Sequence, residues 1–200
     1  MTDINSLSKK DLLIPENMIF LYSQGAFPMA DEKGEINWFM PEIRTVIPLT
    51  QYNIPRSLKK FLLNSNFQFS YDTETIKVIE ECRNRESTWI TGELIEAYKG
   101  LQWMGHLHSV EVIESGKLVG GLYGVTYKGA FFGESMFSRV SQASKCALIK
   151  LIERLNNRGF VVLDVQYQTE HLKMFGAVEI TFQNYKHLLE DAYKKETSFS

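Results

Sequence analysis

The stretch Lys117-Leu118-Val119-Gly120-Gly121-Leu122-Tyr123-Gly124-Val125-Thr126-Tyr127, then Lys128-Gly129, then Ala130-Phe131-Phe132-Gly133-Glu134-Ser135-Met136-Phe137, decides the fold. Two long runs rich in apolar and aromatic residues, joined by a two-residue turn ending in glycine, read as an antiparallel hairpin. Upstream, Ser109 to Glu114 reads as a third strand with Ser115-Gly116 as its turn. Gly120-Gly121-Leu122-Tyr123-Gly124 fits no dinucleotide fingerprint, so these glycines mark a bulge or a close backbone approach. Downstream, a long helix begins after Ser141, buries Ala147, Leu148, Leu151, Ile152 and Leu155, and stops at Gly159. Phe160 to Val165 is a continuous apolar run with a single acid, as in a central strand. A short helix, a strand near Val178 to Phe182 and a closing helix follow.

On the other side of the meander, Pro15 to Gly25 reads as a short helix, followed by loops and short strands and a strand-like Arg44 to Pro48. Residues 1–48 are read as a small N-terminal domain, too short to hold a core alone, and 49–200 as the main domain. In the latter, Arg56 to Leu63 is a basic amphipathic helix and Phe67 to Tyr71 an alternating strand. Asp72 or Thr73 is expected to cap the next helix, and a second helix follows Thr91 with Leu94, Ile95, Tyr98 and Leu101 on one face. Together these predict an α+β chain with a mixed, mostly antiparallel sheet.

Composition narrows the function. The 200 residues are 44% hydrophobic and 23% charged, too apolar for disorder, and a net charge of -2 excludes a bulk-basic nucleic-acid binder. No apolar stretch approaches the ~18 residues of a membrane span. The start, Met1-Thr2-Asp3-Ile4-Asn5, has no basic and apolar leader, so a cytoplasmic location is expected. Cys82 and Cys146 have no metal-ligand spacing and read as reduced, buried thiols. His106, His108 and His171 lack partners at ligand spacing, so no zinc site is expected.

Three polar residues break the pattern. Glu134 interrupts one strand, and Asp164 and Gln166 interrupt another. Each either points outward harmlessly or belongs to a site, since a carboxylate among aromatics is costly unless hydrogen-bonded. Three on neighbouring predicted strands favour a site. Asp164 and Gln166, two apart, are expected to share one strand face. Trp38, Trp89 and Trp103, with Tyr22 and Phe39, read either as core or as a stacking platform for a nucleobase. Arg139, Lys145, Lys150, Arg154 and Arg158 form either a solvated face or phosphate contacts.

The chain resembles the bacterial leucyl/phenylalanyl-tRNA–protein transferases. The matching segments are Tyr22-Ser23-Gln24-Gly25-Ala26-Phe27-Pro28, Thr88-Trp89-Ile90-Thr91, Gly105 to Val112, Leu118 to Val125, Gly133-Glu134-Ser135-Met136-Phe137-Ser138, Ala143-Ser144-Lys145 and Leu163-Asp164-Val165-Gln166. They run in family order over most of the chain, and the Gly133 to Ser138 block is the most specific. The resemblance implies a small N-terminal domain joined to a GNAT-like acyltransferase domain. It also implies transfer of leucine, phenylalanine or methionine from aminoacyl-tRNA to proteins with N-terminal Arg or Lys, marking them for N-degron proteolysis. The partners so implied are the 3′ end of the charged tRNA and the acceptor peptide, with no cofactor, no metal and no membrane, and the protein is expected to be a monomer.

By the same resemblance Asp164, Gln166 and Glu134 form the catalytic set. Glu134 would hold the aminoacyl α-ammonium. Asp164 either orients Gln166 toward the attacking amine or binds the basic acceptor residue; a neutral amide is a very weak base, which favours positioning. Leu122, Phe131, Leu148, Leu151 and Leu155 would line the amino-acid pocket, and Trp89 would contact the terminal adenosine. Gly133, Trp38 and Tyr22 complete the substrate-binding set. A modest patch with Arg56, Lys59 and Lys60 would back weak, salt-sensitive tRNA binding. The chain departs from the family at Met29, often aromatic, at Leu151 and Leu155, often phenylalanine, and at Tyr167 to His171, which lacks the usual asparagine-containing turn.

Two rivals differ in class or donor. An acetyl-CoA-dependent N-acetyltransferase would want a glycine-rich turn before the long helix, where Ser138-Arg139-Val140-Ser141-Gln142-Ala143 has none. A non-catalytic tRNA- or degron-binding module would not require Glu134, Asp164 and Gln166 together.

Overall fold

The computed structural model describes residues 8–200. A 3-10 turn at Asp11–Leu13 leads into α1 (Pro15–Ser23). Proline suits the first helical turn, where its missing N–H would have had no partner. The ribbon β1 (Phe27–Ala30) and β2 (Ile36–Phe39) follows. Then come β3 (Ile43–Pro48), α2 (Arg56–Asn64), β4 (Gln68–Tyr71), α3 (Thr75–Arg83) and α4 (Gly92–Trp103). The meander is β5 (Leu107–Glu114), β6 (Lys117–Tyr127) and β7 (Ala130–Ser138). The chain closes with α5 (Ala143–Asn157), β8 (Val162–Gln166), α6 (Glu170–Lys173), β9 (Val178–Thr181) and α7 (Phe182–Tyr193).

The large sheet has the order β4-β5-β6-β7-β8-β3-β9. Every pairing in it is antiparallel except β7 with β8. This is the α+β chain with a mixed, mostly antiparallel sheet that the element order predicted. Strand β3, the last of the expected N-terminal unit, is built into this sheet between β8 and β9. Among the described residues no helix is long and apolar enough to cross a membrane.

Strand alternation sends neighbouring residues to opposite faces, and each face has its own core. On one, Leu122, Phe131 and Leu163 meet Leu148, Leu151, Ile152 and Leu155 of α5. On the other, Tyr123 and Phe132 meet α1 through Met18 and Tyr22, α3 through Val78 and Ile79, α4 through Leu94 and Tyr98, and α7 through Tyr185 and Leu189. A Cβ at Gly120 would stand 2.5 Å from that of Ala143, so glycine there lets α5 start directly on β6.

One capping expectation fails. Glu74, not Asp72 or Thr73, precedes α3, and no side chain caps it. Asp72 adopts a left-handed conformation (φ 58°) that turns its carboxylate toward β5. There it accepts the Ser109 N–H at 2.8 Å and meets His108 Nδ1 at 2.8 Å. Thr91 does cap α4, accepting the Leu94 N–H at 3.1 Å.

Candidate active site

The register of β6 and β7 slips once. Tyr123 pairs with Ser135 and Gly124 with Gly133, which leaves Glu134 as the extra residue of a β-bulge. A bulge re-aims the side chain it releases. Opposite it, a Cβ at Gly124 would lie 2.3 Å from the Phe132 carbonyl oxygen, so only glycine fits. The pairing of β7 with β8 also stops early, after Phe132 with Asp164. Where the two strands part there is a cavity of about 290 Å³. Its walls are mainly apolar, with Leu122, Met136, Leu148, Leu151, Leu163, Val165 and Leu172 beside Phe27, Met29, Trp89, Tyr123 and Tyr167. The lining residues with polar side-chain atoms are Arg85, Trp89, Tyr123, Glu134, Ser135, Gln166, Tyr167 and Thr169. A small apolar cavity with few convergent polar groups is the usual form of a small-ligand site.

Glu134 is held from behind by two helices. Tyr22 of α1 donates its hydroxyl to one carboxylate oxygen at 2.9 Å, and Tyr98 of α4 donates to the other at 2.9 Å. Burial pushes the Glu134 carboxyl up to about 7; the tyrosine hydrogen bonds pull it down, the Asp164 charge adds to the rise, and Arg44 opposes it. The group therefore changes charge near neutral pH, and a cation arriving in the cavity would favour the carboxylate. Both tyrosines are in turn held well above their ordinary range, first by burial and then by the Glu134 charge.

Asp164 is fully buried and saturated by protein donors. Arg44 Nε lies 2.9 and 3.0 Å from its two oxygens and Arg44 Nη2 2.5 Å from Oδ2. The Tyr185 hydroxyl donates to Oδ2 at 2.7 Å, and the Gln166 backbone N–H to Oδ1 at 2.9 Å. The Arg44 guanidinium is itself buried, 4.5 Å from the Phe27 ring centre and 4.9 Å from that of Tyr185. Burial alone would lower the Arg44 pKa, but the Asp164 charge and hydrogen bonds hold it above its ordinary value. Asp164 and Gln166 do not share a face as expected. Gln166 has φ 58°, a left-handed conformation that ends the strand alternation. Its side chain joins the cavity wall, whereas Asp164 is absent from that wall. The Gln166 Nε2 and the Tyr123 hydroxyl are buried with no partner in the protein, and both residues line the cavity. Buried polar atoms without partners are rare, and a cavity wall is where a ligand can complete them.

Of the residues singled out from the sequence, Trp89, Leu122, Gly133, Glu134, Leu148, Leu151 and Gln166 meet at this cavity. Asp164, Tyr22, Phe131, Leu155 and Trp38 stand outside its lining. Tyr22 reaches it through Glu134, and Trp38 packs edge-on against Tyr22 at 5.4 Å. Phe131 and Leu155 belong to the core cluster. Trp103 is 89% exposed at the end of α4. Sequence reasoning missed Arg44, Tyr98, Tyr185 and Arg85. Tyr98 was read as one residue of a core stripe, and nothing local marks Arg44 or Tyr185. The basic residues near α5 divide: Arg139 pairs with Glu81, Lys150 with Glu153, and Arg154 donates to the Phe199 carbonyl. Lys145 lines a second cavity of about 340 Å³ with Pro55, Ser57, Leu58, Phe61, Gln142 and Met174.

Comparison with known proteins gives a consistent result. Residues 46–190 match the family model described as leucyl/phenylalanyl-tRNA protein transferase. Residues 11–42 match the model for the N-terminal domain of the same family. The leucyl/phenylalanyl-tRNA–protein transferase of Hyphomonas neptunium (strain ATCC 15444) is 42% identical over 191 residues, covering 92% of this chain and 74% of that protein. Among solved structures, L-PGS from Bacillus licheniformis aligns with a TM-score of 0.42 and 13% identity over 88% of this chain and 62% of its own. A functionally unknown conserved protein from Staphylococcus epidermidis ATCC 12228 aligns with a TM-score of 0.42 and 8% identity over 70% of this chain and 57% of its own. The chain thus spans less than two thirds of either solved chain.

Proposed function

The chain belongs to the leucyl/phenylalanyl-tRNA protein transferase family, and on that premise we propose that it moves leucine or phenylalanine, with methionine as a third donor, from aminoacyl-tRNA to the N-terminal α-amine of proteins beginning with Arg or Lys. The new N-terminus would mark the acceptor for N-degron proteolysis, and charged tRNA as donor implies a cytoplasmic setting. The observation that carries this reading is a carboxylate, Glu134, released by a bulge into an apolar cavity.

The donor ester is already activated, so the enzyme must chiefly orient two reactants. The aminoacyl side chain fits among Leu122, Leu148, Leu151 and Leu163, with its α-ammonium on Glu134 and the terminal adenosine at Trp89. The acceptor amine attacks the ester carbonyl, an amide bond forms, and the ester bond to the ribose oxygen breaks. The amine gives up a proton as the ribose oxygen takes one. Gln166 accepts a hydrogen bond from the attacking amine through its side-chain carbonyl and so aims its lone pair. Asp164 is a positioning residue in this scheme. Its charge is spent on Arg44 and Tyr185, and it acts on Gln166 by holding that residue's N–H. A basic acceptor residue finds no free oxygen there.

Purified protein supplied with leucyl-, phenylalanyl- or methionyl-tRNA and peptides beginning with Lys, Arg or Ala tests the proposal by mass spectrometry. The expected result is one added residue on the Lys and Arg peptides alone. Absence of transfer from all three donors overturns the activity, and equal transfer to the Ala peptide overturns the acceptor specificity.

A further inference from the structure

Of the residues lining the cavity, Arg85 alone carries a positive charge and Glu134 alone a negative one. Glu134 has its tyrosines, but Arg85 has no carboxylate. Its Nε donates to the Cys82 carbonyl at 2.6 Å and its Nη2 to the Ser135 hydroxyl at 2.7 Å. Both partners are neutral, and among the described residues no acid forms an ion pair with it. The nearby Glu81 is taken by Arg139. The side chain is therefore fixed in place and its charge is uncompensated, on an exposed residue at the cavity rim that also carries Trp89. An arginine held by two neutral oxygens keeps further N–H groups for a planar or tetrahedral oxyanion.

We propose that Arg85 is an anion subsite for the donor, taking the phosphodiester group on the 5′ side of the terminal adenosine. This rests on the reading of the cavity as an aminoacyl-tRNA site. The reactants leave few other anions. An aminoacyl ester has no free carboxylate, and an acceptor that begins with Lys or Arg brings positive charge. The phosphodiester is the anion that accompanies every donor, whichever amino acid it carries. The Ser135 hydroxyl ties this subsite to the ammonium subsite, because Ser135 follows Glu134 in the same bulge. The two charges then grip the donor at separate points, and the apolar wall selects the side chain.

The test compares 3′-O-phenylalanyl-adenosine with the same compound bearing a 5′-phosphate, in steady-state transfer to a Lys-initiated peptide. In the wild type the phosphate is expected to lower the donor KM about tenfold, the scale of one charge-assisted contact. In Arg85→Gln the ratio of the two KM values collapses toward one, and Arg85→Lys, which keeps the charge and loses the fork, retains part of it. With intact aminoacyl-tRNA, Arg85→Gln also lowers the slope of log KM against log salt by about 0.7, the value for one single-strand phosphate. A wild-type enzyme that transfers from both compounds with equal KM overturns the subsite and leaves the activity standing. So does a ratio unchanged in Arg85→Gln, or a KM effect confined to the peptide. Absence of transfer from either compound and from charged tRNA overturns the underlying reading instead.

Discussion

Removing Arg44 isolates what the buried pair with Asp164 does. In Arg44→Met the Asp164 carboxylate keeps the Tyr185 hydroxyl and the Gln166 N–H but loses the three close contacts to the guanidinium. A carboxylate left unpaired in a buried site costs about 3–5 kcal/mol. Losing the Tyr185 donor alone, in Tyr185→Phe, costs about 1.5–3 kcal/mol, since the acceptor is charged. If the residues acted independently, adding Asp164→Leu to Arg44→Met would destabilise further. The expected outcome is the reverse, because the double variant has no buried charge left to desolvate. Its stability should return to within about 2 kcal/mol of the wild type, since apolar replacement of a buried pair is often nearly neutral. Transfer activity should be lost in the double variant, because nothing then holds the Gln166 N–H. Urea unfolding gives the stabilities and peptide transfer the activity. A loss below about 1 kcal/mol in Arg44→Met refutes the reasoning, because the pair would then not be desolvated. A double variant as unstable as the single one refutes it too, and so does a double variant that keeps wild-type transfer.

Three further outcomes follow from the geometry. Glu134, with its pKa raised to about 7, favours the folded state fully below the ordinary glutamate value of 4.5 and loses that contribution as pH rises through 7. Wild-type stability relative to Glu134→Gln should therefore fall between pH 5 and pH 8, while the donor KM of the wild type improves as the carboxylate forms; denaturation and kinetics at the two pH values check this, and a flat difference rejects it. Leu151 lines the cavity and Leu155 does not. Leu151→Phe should lower transfer of phenylalanine relative to leucine, measured with competing donors, whereas Leu155→Ala should cost about 2–5 kcal/mol in unfolding and leave the donor ratio near its original value. Gly124→Ala must push a Cβ from 2.3 Å off the Phe132 carbonyl, so it should destabilise the protein by more than 1 kcal/mol, on the scale of ~1–3 kcal/mol for overpacking, and lower transfer; an unchanged melting curve would contradict the bulge.

The meander was legible because turn chemistry is local. Ser115 and Gly116 take φ 51° and 74°, as a tight hairpin needs, and the strands Lys117–Tyr127 and Ala130–Ser138 fall where the apolar runs place them. The apolar stripe of α5 was legible for the same reason, since period and burial agree over four turns. Glu134, Trp89 and Gln166 stood out as residues their surroundings did not explain, and they do meet at one cavity. The supports behind them were not legible. Arg44 and Asp164 are 120 positions apart, Tyr22 and Glu134 are 112 apart, and no local pattern encodes such pairs. The misread faces share one cause. Asp72 and Gln166 both adopt positive φ without being glycine, and each reverses the direction that alternation or capping assigns to its side chain.

The position of β3 between β8 and β9 has a consequence for synthesis on the ribosome. Arg44 leaves the tunnel 120 residues before its counter-ion, and at ~5–20 residues per second the delay is roughly 6–24 s. During that interval β3 has neither neighbour, and its buried residues Arg44 to Ile47 have nothing to cover them. The meander, whose three strands follow one another directly, can form first. Asp164 and then Tyr185 arrive last, so the nascent chain builds the β6 and β7 side of the cavity well before it acquires a fixed Gln166. An unfinished copy can therefore fold in part without being competent to act.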